Sequence, residues 1–99
     1  MFARFYKFYI TSEYFDDLLK FFDEKAKPLI ESVDGHLGIH SVRTSETECI
    51  MVSFYTNKDA AEAASEKAAV IFVEMGKWMS APPEVMGEGE VLRSLNLGH

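Results

Sequence analysis

At 99 residues the chain is long enough for one core and too short for two, and a net charge of -6, from 10 Lys and Arg against 16 Asp and Glu, excludes the clustered basic surface that nucleic-acid binding needs. Apolar residues make up 47% and aromatics 13%, a heavy aromatic load for so small an interior, which points to surface buried between chains. The single cysteine, Cys49, rules out an internal disulfide and a cysteine-based zinc site, and makes a reducing, cytoplasmic setting the expectation.

Residues 1–10 are apolar but interrupted by Arg4 and Lys7, and no small-residue cleavage site follows, so they read as a strand and not as a signal peptide. No apolar run approaches membrane-spanning length. The strand Phe2 to Ile10 is apolar on both faces, with Phe2, Tyr6, Phe8 and Ile10 on one and Ala3, Phe5 and Tyr9 on the other, and so wants cover on both sides. Thr11 or Ser12 offers an N-cap, Glu13, Asp16 and Asp17 suit a first helical turn, and a helix is expected to about Val33. Its stripe is Phe15, Leu18, Leu19, Phe22, Ala26, Leu29, Ile30 and Val33. Pro28 removes one backbone donor and crowds the Glu24 carbonyl, which predicts a kink.

Asp34-Gly35 then turns the chain into a hairpin: one strand with Leu37, Ile39 and Val42, a turn over Thr44 to Thr47, and a second strand from Glu48 to Tyr55. In that second strand Ile50, Val52 and Phe54 look the better core set, against Met51, Ser53 and Tyr55. Thr56 or Asn57 caps a second helix rich in Ala60, Ala61, Ala63, Ala64, Ala68 and Ala69, small enough to lie close to a sheet. Its second half, through Met75, Trp78 and Met79, is apolar nearly all round, and Pro82-Pro83 are expected to end it. Val85 to Leu92 alternates like an edge strand, and Arg93 to His99 form a short tail, giving one domain with a core of about 2–93 and a tail over 94–99.

The order strand, helix, strand, strand, helix, strand is the ferredoxin-like βαββαβ plan of the α+β class, a four-stranded antiparallel sheet with two helices on one face. The other face stays open, and apolar residues on both faces of the first and third strands make it an interaction site for which a second copy is the simplest cover. With the Asp34-Gly35-His36-Leu37-Gly38 entrance to the second strand, and Phe54-Tyr55 leading directly into the second helix, the chain resembles the antibiotic biosynthesis monooxygenase-like family of the dimeric α+β barrel superfamily. The resemblance covers residues 2 to 93. Where many members carry a Trp near the start of the second helix, Tyr55 stands here, and the His that the haem-degrading branch places on that helix is absent between Lys58 and Ser80. What the resemblance implies is a homodimer enclosing a small cavity between its sheets, and a cofactor-independent monooxygenase-like activity on a small aromatic or planar organic molecule. A non-catalytic metabolite-binding or sensing dimer is the alternative, and a dimer whose cavity is filled by its own side chains is a third.

Several residues are candidates for the chemistry. His36 and His40, four apart on a strand, are expected on one side at a separation of roughly 13 Å, too far to share a metal, and either can serve as a general base if that side is the cavity. Solvated edge histidines are the plainer reading. Arg4 and Tyr6 share a face of the first strand, and Met51, Ser53 and Tyr55 share that space from the third; an Arg walled in by a partner sheet would take an anionic ligand. Alternatively Arg4 reaches water or an acidic side chain. Trp78 can line the pocket mouth, although its spacing with Met75 and Met79 is first of all a packing signal. Cys49, beside Glu46 and Glu48, reads as inert. No metal ligand set, phosphate loop or Ser-His-Asp spacing is present, so neither metal nor cofactor is expected.

Overall fold

The computed structural model describes residues 1–95; the expected tail over 94–99 therefore lies largely outside the described residues. Strand β1 (Phe2–Ile10) leads through a 3-10 turn (Ser12–Tyr14) into one helical stretch made of α1 (Phe15–Phe21), a π turn (Phe22–Ala26) and α2 (Lys27–Glu31). Strands β2 (His36–Arg43) and β3 (Glu48–Tyr55) form the hairpin, and α3 (Lys58–Met75), a 3-10 turn (Gly76–Trp78) and β4 (Met79–Glu90) complete the chain. The sheet is antiparallel in the order β2-β3-β1-β4, so this is the ferredoxin-like α+β fold, with both helical layers on one face.

Local chemistry accounts for most element ends. The Asn57 side chain accepts a 2.9 Å hydrogen bond from the Ala60 N–H and starts α3, whereas Thr11 makes no side-chain cap and instead donates its own N–H to the Trp78 carbonyl at 3.0 Å. The expected kink is a π turn: Pro28 has no N–H for the Glu24 carbonyl, and the widened turn just before it accommodates the missing bond without breaking the helix. Helix α3 stops at Met75 rather than running to the prolines. Pro82 and Pro83 lie inside β4, which as an edge strand can spare their N–H groups, next to irregularities in its register with β1.

The sheet faces correct one expectation. Phe2, Tyr6, Phe8 and Ile10 do face the helices, but from β3 it is Met51, Ser53 and Tyr55 that are buried there, while Ile50, Val52 and Phe54 lie on the open face. The register decides this, since Arg4 pairs with Ser53 and Tyr6 with Met51 across the antiparallel ladder, and paired residues share a face. Ala61 and Ala64 are buried on α3 and let it approach the sheet at that point. The main core joins Tyr6, Phe8, Ile10, Phe15, Leu18, Met51, Ile71 and Met75.

Candidate functional site

Between the helix-facing side of the sheet and the helices lies a cavity of about 280 Å3, at the lower end of the roughly 300–1,000 Å3 usual for small-molecule sites. It belongs to a single chain, on the face of the sheet opposite to the one where an inter-sheet space was expected. Its apolar walls are Phe8, Leu18, Phe22, Ile71, Phe72 and Met75, with Met51 and Ile39 from the sheet. Tyr6 packs edge-on against Phe72 at 5.4 Å between ring centres and stacks on Phe8 at 6.0 Å. Asp23 and Lys67 stand at the rim, where Lys67 Nζ donates to Ser32 Oγ at 2.9 Å.

Five polar side chains line the cavity from three neighbouring strands: His36 opposite Tyr55 at one end, Ser53 next along β3, and Ser41 and Tyr6 further along, level with Met51. His36 sits edge-on to the Tyr55 ring at 5.6 Å, and its Nε2 is the one buried side-chain nitrogen or oxygen among the described residues with no hydrogen-bond partner. Burial lowers the His36 pKa, against a smaller opposing pull from Glu31, so the imidazole is neutral near pH 7. Burial likewise raises the pKa of the Tyr55 hydroxyl, with Ser53 opposing, and leaves it a neutral donor. A neutral imidazole beside a neutral phenol can accept and return one proton.

The two histidines do not share a side. His36 pairs with Tyr55 but Gly38 pairs with Phe54, so one extra residue is accommodated between them and the alternation shifts. His36 faces the helices, and His40, opposite Val52, lies exposed on the open face with its ring edge-on to Phe54 at 6.2 Å.

Arg4 also turns inward, beneath α3 and outside the cavity lining. Its Nε donates to Glu88 Oε2 at 2.6 Å, and its Nη1 donates to the Ser65 hydroxyl at 2.9 Å and the Ala61 carbonyl at 3.2 Å. Burial works against the charge, but the Tyr6 hydroxyl and the Glu88 carboxylate outweigh it and hold the guanidinium pKa above its ordinary value. The acidic side chain of the plainer reading is thus present, and the expected wall of partner sheet is not what encloses Arg4. Trp78 stands in the turn after α3, packed on Phe21 at 5.4 Å with Lys77 over its ring, and is not part of the lining. Cys49 lines the cavity as a thiol whose pKa burial pushes up. Leu18, Phe22, Ile71 and Met75 were legible only as a packing stripe, because spacing alone does not distinguish a cavity wall from a filled core.

Among the described residues no three His, Cys, Asp or Glu side chains are placed to hold a metal ion, and no helix is long and apolar enough to cross a membrane.

Residues 1–70, from β1 through most of α3, match the family described as antibiotic biosynthesis monooxygenase. No curated protein matches the sequence. Among solved structures, a protein of unknown function from Nitrosomonas europaea superposes with a TM-score of 0.78 at 16% identity, covering 96% of this chain and 92% of that one. A monooxygenase from the gene ActVA-Orf6 of Streptomyces coelicolor, in complex with the ligand nanaomycin D, gives 0.72 at 15% identity over 94% and 92%. SnoaB, a cofactor-independent oxygenase from Streptomyces nogalater, gives 0.72 at 11% over 95% of each chain. At these identities the structural likeness is one of fold.

Proposed function

The chain belongs to the antibiotic biosynthesis monooxygenase family, and from that premise we propose that it oxidises a small aromatic or planar organic molecule, held in the cavity between its sheet and helices, without metal or flavin. The observation that carries this reading is the unpartnered, buried Nε2 of His36, beside Tyr55 in a mainly apolar cavity. A phenolic or enolic hydroxyl is the natural partner for it: the neutral imidazole takes the proton, and Tyr55 and Ser53 hydrogen-bond the oxygen left behind. The electrons that reduce dioxygen then come from the substrate itself, with one oxygen atom retained and the other leaving as water. The apolar walls orient the ring plane and keep bulk water away from the reacting carbon. Tyr6 and Met51 complete the substrate surface, and His40, on the other face, has no part in this chemistry. Arg4 acts behind Tyr6 as a positioning residue.

The test is dioxygen uptake with hydroquinones and polyphenols. His36→Phe, which keeps a flat ring in place, is expected to lower turnover by about 10²- to 10⁴-fold while leaving ligand affinity within a few-fold. The His36 pKa supplies a second readout. Because it is depressed in the folded chain, its contribution favours folding above the ordinary histidine value near 6.5 and is lost as pH falls through that value to the folded one, so acid-side melting is expected to steepen in the wild type relative to His36→Phe. Binding with no oxygen uptake makes the chain a metabolite-binding dimer; no binding at all sinks the site.

Homodimerisation through the open face belongs to the same reading. Phe5 is 43% exposed and Val42 59%, and Ile50, Val52 and Phe54 are only partly covered beside them. A row of this kind on an open sheet face is covered most simply by its own copy. Lys7, bonded to Glu48 at 3.0 Å, and Tyr9, donating to Glu84 at 2.9 Å, give that face a polar margin. Light scattering is expected to return twice the chain mass, and Phe5→Glu to return the monomer. The lone thiol of Cys49 supports an intracellular setting.

A further inference from the structure

A second hollow of about 330 Å3 lies outside the cavity, between the π turn with α2 and the free edge of β2. Four residues, Phe22, Ile30, His36 and Ile39, line both spaces, so the wall between them is one side chain thick. We infer that this cleft is the entrance to the cavity, that these four side chains are its gate, and that an elongated substrate rests its ring system inside and its polar end in the cleft. The inference rests on the cavity being the substrate site.

Both sides of the gate come from parts of the fold that yield easily. On the helix side stands the π turn, followed by Pro28, where the regular backbone ladder is interrupted. On the sheet side stands β2, hydrogen-bonded to β3 alone, with its irregular register between His36 and Gly38. Leu37, 54% exposed, lines the cleft and not the cavity. At the outer lip Lys27 and Glu31 stand 3.8 Å apart and both well exposed, so the cleft offers a donor and an acceptor together. That pairing fits an uncharged polar extension, such as a hydroxyl or amide, better than a second charge. The gap between α2 and α3 is the competing route, but it is crossed by the Lys67 to Ser32 hydrogen bond.

The experiment is stopped-flow association of 1-naphthol and of 1,4-dihydroxynaphthalene with the full chain. Leu37→Trp places bulk in the cleft and leaves the inner walls untouched. It is expected to slow association and dissociation together by about tenfold with Kd nearly unchanged, because an obstacle on the path raises the barrier in both directions equally. Ile30→Trp, which narrows the gate itself, is expected to slow both rates and, because Ile30 also lines the cavity, to shift Kd as well; Leu37→Trp keeps the test intact if that variant folds poorly. Unchanged rates in both variants overturn the entrance while the cavity stands, and so does acceleration in Lys67→Ala with no effect at the cleft. Absence of binding of either naphthalene to the wild-type chain overturns the cavity reading and the entrance with it.

Discussion

Gly35→Ala is expected to destabilise the domain by about 3 kcal/mol and to lower its melting temperature by roughly 10 to 25 °C. Two independent costs meet at this residue. Its φ of 82° lies in the left-handed region, which an alanine enters at about 1 kcal/mol or more. A Cβ there falls 2.7 Å from Thr56 Oγ1 and 2.8 Å from Ala60 Cβ, so the start of α3 has to move, and overpacking of that kind costs about 1–3 kcal/mol. The Gly35 carbonyl also accepts the Thr56 N–H at 2.8 Å, pinning the turn before β2 to the junction between β3 and α3. His36 follows directly, so the same change is expected to weaken ligand binding in whatever fraction remains folded. Thermal melting with binding measured well below the transition checks both parts; a melting shift under a few degrees would show that the turn relaxes freely.

Glu88→Ala is expected to cost about 2 kcal/mol, whereas Arg4→Met is expected to stay within about 1 kcal/mol of wild type. The contrast follows from which group is left behind. Without Glu88 the buried guanidinium keeps only neutral partners, the Ser65 and Tyr6 hydroxyls and the Ala61 carbonyl, and an inward-facing charge loses its counter-ion. The figure is set below that of a fully buried pair because the Glu88 side chain is 36% exposed. Without Arg4 the carboxylate turns to water, Ser65 still donates to Ala61 at 3.3 Å, and the methionine stem refills the space. Chemical denaturation of the two variants decides it: if Arg4→Met is the more damaging, the guanidinium does more than compensate its neighbour.

The element order was legible because its punctuation is chemical: Asp34-Gly35 for the turn, Asn57 for the cap of α3, Pro28 for the irregular helix. The end of α3 was not, since Pro82-Pro83 read as a helix stop and an edge strand absorbs them equally well. Alternation separated the two faces of β1, Phe2, Tyr6, Phe8 and Ile10 against Ala3, Phe5 and Tyr9, without deciding which turns inward, and it misled for β3, where Ile50, Val52 and Phe54 are more apolar than the Met51, Ser53 and Tyr55 that turn inward. Register with Arg4 and Tyr6 settles that, and register is not written in either strand alone. The grouping of Tyr6, Met51, Ser53 and Tyr55 was read from alternation; that His36 joins them and His40 does not depends on one extra residue in β2, for which Gly38 was the only signal.

Strand β1 is the middle of this molecule in a stronger sense than strand order conveys. It is bonded along both edges, to β3 and β4, and packed by helices on one side, so no local fluctuation frees its backbone amides. Their exchange with solvent deuterons requires the whole domain to open, and its slowest protons report the global folding free energy. Amides of the π turn and of the outer edge of β2 carry no such requirement. The chain is thus divided by cooperativity into a rigid floor, which holds Tyr6 fixed, and a wall that can breathe thousands of times while the floor stays shut.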